Sequence, residues 1–224
     1  MTRGGKPKRA SPSEDSRQRT IRTRMSTSRA YFDELYRNND DPWRYRTSGY
    51  ERRKRELVLA SLPREQYASG FEPACSNGEL SALLARRCAR LRICDISEEA
   101  VASARERLAD APHVTIEQRA VPDDWPADER FDLIVISELA YYLSPESTAA
   151  LAQRAWASLA DDGAVVACHW RHPFEGKLQS ADDAHATFHA IFGGTRVVRH
   201  EEADFFLDVW SKDGRSVAER EGIA

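Results

Sequence analysis

The chain has 224 residues, of which 41% are hydrophobic and 31% charged. That is enough apolar content for one domain with a real core, and no apolar run approaches the roughly 20 residues a membrane helix needs. The net charge is −3, but residues 1–24 hold eight Lys or Arg and two acids, a net of +6, so residues 25–224 carry −9. An acidic body argues against nucleic acid as a partner.

The first 25 residues are rich in Ser, Arg, Lys and Pro and are expected to be a disordered basic tail. Residues 26–224 are expected to form one domain, with cap helices over 26–62 and a core over 63–212. The N-terminus lacks the apolar segment of a secretory signal. The cysteines Cys75, Cys88, Cys94 and Cys168 show neither C-x-x-C nor Cys/His ligand spacing, so reduced thiols, no metal and a cytoplasmic location are expected.

Taken in chain order, residues 26–40 suggest a first helix with Tyr31, Phe32, Leu35 and Tyr36 on one face, broken by Asp41-Pro42-Trp43. A second helix runs from Gly49 to Leu62 with Leu57, Val58 and Leu62 inward. Strand 67–72, helix 78–89, strand 91–95 and helix 97–109 follow, the last with Ser97 at its cap and Glu98 and Glu99 in its first turn. Residues 113–118 read as a strand, and the nearly continuous apolar run 131–136 reads as a central parallel strand. Helix 145–159 opens on Pro145, and 163–170 is another buried strand. Residues 195–199 and 203–210 read as two strands joined by a tight turn at Glu201-Glu202. The segment 172–189 departs from this alternation. Strands alternating with helices predict an α/β fold: a Rossmann-like, doubly wound, mostly parallel sheet with a C-terminal antiparallel hairpin and N-terminal cap helices.

In such a sheet ligands sit beyond the strand C-termini, where the strand order reverses. The turn from Glu72 to Gly78 follows the first strand and opens a helix. Its small residues let a ligand approach the backbone, and the helix start offers free N–H groups. Asp95 closes the next strand, where a carboxylate can accept two hydrogen bonds from a ribose diol. The classical G-x-G-x-x-G is absent, which disfavours a nicotinamide enzyme.

Glu72, Ala74, Ser76 and Gly78 occupy the acid and three glycine positions of class I S-adenosylmethionine-dependent methyltransferases, and only the last glycine is present. Asp95, Phe131-Asp132-Leu133-Ile134, Ser137–Leu143 and Leu159–Ala164 match further motifs of that class. Asp41-Pro42-Trp43, Tyr50–Lys54, Leu62-Pro63, Glu72–Ser81 and Cys168–Pro173 resemble the nodulation protein S family.

The resemblance implies S-adenosylmethionine as methyl donor. It also implies N-methylation of the free amine of a deacetylated chitooligosaccharide or another small amine. O-methylation of a carboxylate or hydroxyl and a non-catalytic donor-binding scaffold are the alternatives. The implied donor site is Trp43 and Tyr50 as a lid, Arg53 on the donor carboxylate and Glu72 on its amine. Ala74, Asn77, Gly78 and Ser137 contribute from the motifs, Asp95 takes the ribose, and Ile96, Ala120 and Val121 flank the adenine. An amine attacks only when neutral, so a proton acceptor is expected. Glu138, Tyr141 and His169 are the catalytic candidates, in that order. The resemblance also implies that the segment 172–189 covers an acceptor, and Trp170, His172 and Trp210 can stack on a sugar ring. The expected partners are the amine acceptor, with no nucleic acid and no membrane insertion, and the chain is expected to be a monomer or homodimer.

Overall fold

The computed structural model describes residues 27–193 and 195–224; the basic tail expected over 1–25 lies outside them. Two helices come first, α1 (Arg29–Asn38) and α2 (Gly49–Ala60). Each is capped by a serine: Ser28 accepts from the Tyr31 N–H and Ser48 from the Glu51 N–H, both at 3.4 Å. The alternating part runs β1 (Gly70–Pro73), α3 (Glu79–Leu84), β2 (Leu91–Asp95), α4 (Glu98–Arg107), β3 (Val114–Gln118) and β4 (Phe131–Ser137). It continues with α5 (Pro145–Ser158), β5 (Leu159–Trp170), α6 (Ala181–Ile191), β6 (Arg196–Glu201), β7 (Phe205–Ser211) and α7 (Val217–Arg220).

The seven strands form one sheet in the order β3-β2-β1-β4-β5-β7-β6. The first five are parallel, β7 runs antiparallel to β5, and β6 antiparallel to β7. The order reverses between β1 and β4, which puts the switch point at their C-terminal ends.

Side-chain alternation along β4 explains the two cores. Leu133 and Val135 point to one face with Val58, Leu80, Leu84 and Ala104 from α2, α3 and α4. Ile134 and Ile136 point to the other with Leu151 and Ala155 of α5 and Phe188 of α6.

Several expectations shift. The helix expected over 78–89 stops at Leu84, and Cys88 instead bridges to Tyr67 as an isolated strand contact. Ser97 holds the cap position of α4, but its hydroxyl bonds the Glu99 carboxylate at 3.3 Å and makes no cap bond to backbone. β5 begins at Leu159, inside the expected turn, and the register shift it needs lies between Phe131 and Leu133.

The segment expected to cover an acceptor contains α6, whose Ala184 and Phe188 belong to the core. Trp210 is also core, fully buried against Phe192 with ring centroids 5.1 Å apart, so it has no face to offer a sugar. Trp170 is half-buried and packs on His172 at 4.6 Å. Among the described residues no helix is long and apolar enough to cross a membrane.

Candidate functional site

A cavity of about 320 Å³ opens over the C-terminal ends of β1, β2 and β4, roofed by α1, α2 and the turn between them. Its floor begins with the turn after β1. Ala74 (φ 59°), Ser76 (φ 52°) and Gly78 (φ 77°) all adopt the left-handed conformation. The backbone therefore follows the path three alternate glycines would take. A non-glycine residue there costs on the order of 1–2 kcal/mol. Ser76 offsets part of this: its Oγ lies 2.5 Å from the Tyr36 hydroxyl of α1.

Gly78 is not among the cavity-lining residues. A Cβ there would sit 3.3 Å from Ala104 of α4, so this glycine serves the close packing of α3 on α4.

The acids occupy the positions expected of them. Asp95 is buried and lines the cavity. Its Oδ2 accepts from the Ser76 N–H at 2.9 Å and its Oδ1 from the Ser97 N–H at 3.0 Å. Beyond these two bonds the carboxylate keeps acceptor capacity, which a vicinal diol requires. Burial raises its pKa, against the pull of those N–H donors.

Glu72 is buried beneath the turn. Burial pushes its pKa up to about 8, although Ser81 donates to its Oε2 at 2.5 Å. Asn77 donates to Asp41 Oδ1 at 3.1 Å, while its own buried Oδ1 has no hydrogen-bond partner. Asp41 also accepts from the Tyr45 and Arg46 N–H groups at 2.7 and 3.0 Å, so one carboxylate ties the roof to the floor. Ile96, Ala120 and Val121 line the side wall, Trp43 the roof and Ser137 the end of β4.

Besides Gly78, four expected residues lie elsewhere. Arg53 is on the outer face of α2, where it grips Glu202 with two hydrogen bonds of 2.6 and 2.8 Å and lowers the pKa of that carboxyl to about 2. Tyr50 turns toward the sheet edge and packs edge-on against Trp170 at 5.5 Å. Neither lines the cavity.

His169 is fully buried. Its Nε2 accepts from the Ala140 N–H at 3.0 Å, so Nδ1 carries the proton and donates to His185 Nε2 at 3.0 Å. His185 in turn donates from Nδ1 to Asp208 at 2.7 Å. Burial holds the His169 pKa well below its usual value. It is a neutral strut that fixes the 140–142 turn, with no route to a substrate. Tyr141 is buried behind Glu138 and donates its hydroxyl to it.

Glu138 does line the cavity, held at φ 55° at the end of β4. Its Oε1 accepts from Lys54 at 2.7 Å, and its Oε2 from the Tyr141 hydroxyl and from the Trp170 N–H at 3.2 Å. Lys54 also reaches Glu51 Oε1 at 3.0 Å. Burial disfavours the Lys54 charge, but the two carboxylates outweigh it and raise its pKa.

Glu51, Lys54 and Arg55 thus enter the site from α2, where the sequence pointed to Arg53. The signal was present: Glu51, Lys54 and Val58 share a stripe at spacings of three and four, and Val58 was already assigned inward. Tyr36, Tyr45 and Tyr142 also line the cavity. Among the described residues, no group of three or more His, Cys, Asp or Glu side chains is arranged to hold a metal ion.

A family model for nodulation protein S matches residues 31–173, well over half of the chain. Nodulation protein S of Rhizobium tropici is 34% identical over 105 residues, covering 46% of this chain and 44% of that protein. The matched region therefore spans about half the length of such curated relatives. A solved Pseudomonas syringae protein, described as a candidate methyltransferase, is 49% identical with a TM-score of 0.66, covering 73% of this chain and 99% of that one. The N-methyltransferase NodS of Bradyrhizobium japonicum WM9, solved with S-adenosyl-L-homocysteine, shares the fold with a TM-score of 0.71 at 23% identity, over 82% of this chain and 97% of that one. The chain belongs to the nodulation protein S family.

Proposed function

We propose that this protein is an S-adenosylmethionine-dependent methyltransferase that methylates the nitrogen of a small amine, with an amino sugar of the deacetylated chitooligosaccharide type as the leading acceptor. The observation that carries the reading is the composition of one cavity. Its floor offers a diol-accepting carboxylate, Asp95, beside a left-handed turn. Its far end holds two carboxylates around one lysine, groups that can accept hydrogen bonds and a proton from an amine.

The residues present fit the donor. Asp95 takes the ribose hydroxyls, and Ile96, Ala120 and Val121 flank the adenine. Glu72 and the open Oδ1 of Asn77 are the acceptors nearest the turn for the donor amine. Arg55, which lines the cavity and is held by the Tyr45 carbonyl at 2.9 Å, takes the carboxylate in place of Arg53. When bound, the donor supplies an electrophilic methyl group on a sulfonium. The protein's part is to align the acceptor nitrogen with it and keep water out, which the aromatic roof of Tyr36, Trp43 and Tyr45 favours.

Calorimetric titration with S-adenosylhomocysteine tests the donor half. Saturable binding is expected for the wild type and its loss in Asp95→Ala. No binding to the wild type at high micromolar ligand (an affinity weaker than about −5 kcal/mol) removes the enzyme reading.

A further inference from the structure

Two carboxylates face the acceptor end of the cavity, Glu138 on the turn after β4 and Glu51 on α2, and Lys54 lies between them. Their hydrogen bonding is unequal. Glu138 has both oxygens engaged, Oε1 by Lys54 and Oε2 by Tyr141 and the Trp170 N–H. A carboxylate clamped by three donors has little acceptor capacity left to offer a ligand. Glu51 accepts from Lys54 through Oε1 alone. Its Oε2 has no hydrogen-bond partner among the described residues, and the residue lines the cavity.

We infer that Glu51, and not Glu138, is the carboxylate that meets the acceptor amine and takes its proton. This rests on the amine-methylating reading above. The acceptor arrives as an ammonium and passes one proton to Glu51 Oε2. The freed lone pair forms the new N–C bond as the C–S bond breaks, and the bonding pair stays on sulfur, leaving S-adenosylhomocysteine. The methylated nitrogen departs as an ammonium, and Glu51 releases its proton to solvent. Glu138 and Tyr141 position Lys54, which holds Glu51 in place.

Lys54 and Arg55 face Glu51 from its own helix. Tyr45 faces it from the preceding turn, and Glu138 and Cys168 from the sheet. Burial raises the Glu51 pKa, with Lys54 opposing and Glu138 reinforcing, which moves it toward the range where a carboxylate is a useful base.

The test compares the full-length wild type with Glu51→Gln, which keeps an oxygen for Lys54, and with Glu51→Asp. S-adenosylhomocysteine affinity is read by calorimetry and methylation of glucosamine oligomers by turnover against pH. In Glu51→Gln, donor affinity stays within about 3-fold while turnover at neutral pH falls by roughly 100-fold or more. The acid limb of its kcat/KM profile moves up to the ionisation of the amine itself, so high pH restores activity. Glu51→Asp recovers part of the loss.

A merely structural role lowers activity equally at every pH. That result, unchanged turnover, or loss of donor binding in Glu51→Gln would each overturn the inference while leaving the function standing. A wild type that binds the donor product yet methylates no amine removes both.

Discussion

At the scale of single residues, the site stores its cost in a few places. Ala74 and Ser76 take a glycine's conformation, and Glu138 takes the same region at the end of β4. Two of them keep a side chain that does something: Ser76 meets Tyr36, and Glu138 meets Lys54. The sequence showed where the motif lies but not this geometry, because hydrophobic patterning carries no information about φ.

Glu72 makes the clearest pH prediction. Its folded pKa of about 8 lies above the ordinary carboxyl value, so the folded chain holds a proton that the unfolded chain releases. The resulting stabilisation is complete below the ordinary carboxyl range and is lost as pH rises to about 8. Between these limits stability of the donor-free protein falls by about 1.4 kcal/mol per pH unit from this one group. Glu72→Gln, which stays neutral, removes that contribution. Denaturant unfolding of both proteins from pH 5 to 8 checks it, and parallel curves contradict it.

At the scale of elements, α2 determines which side chains reach the cavity. Arg53 and Lys54 are neighbours in sequence, but a helix turns 100° per residue, so one faces Glu202 in solvent and the other the buried carboxylates. The misplaced Arg53 was a matter of helical phase: a run of four basic residues looks alike at every position until an inward neighbour such as Val58 fixes the register.

Lys54 also fastens α2 to the sheet. Lys54→Met leaves Glu51 and Glu138 buried without their cation and is expected to destabilise by about 3–5 kcal/mol. Adding Glu138→Gln restores part of the loss. A cost under about 1 kcal/mol in the single variant means that the triad does not hold the helix.

The opposite case is α6. Its core face, with Ala184 and Phe188, was masked in the sequence by the irregular stretch before it. It carries His185, the middle of the chain from Asp208 through His169 to the Ala140 N–H. That chain was not legible, since its three side chains come from β5, α6 and β7 and nothing local links them. It explains why a histidine at a strand end, which reads as a base, is a strut here.

At the scale of the molecule, the strand–helix alternation, the β4 run and the terminal hairpin were all visible, because a sheet covered on both faces writes long apolar runs between polar loops. The order β3-β2-β1-β4-β5-β7-β6 then follows from right-handed crossovers and one reversal. That reversal places Glu72, Asp95 and Glu138 around one opening, and α1 and α2 close it with aromatics and the Glu51–Lys54 pair. The acceptor's identity is not written in this architecture, which serves many chemistries.

The central claim is that the cavity brings a sulfonium methyl group to a free amine. The direct test is transfer of labelled methyl from S-adenosylmethionine to glucosamine oligomers, with fully N-acetylated oligomers and simple carboxylic acids in parallel. The account predicts label on nitrogen in the free-amine oligomers alone. Label on a carboxylate or hydroxyl, or equal labelling of acetylated and free-amine oligomers, would contradict it.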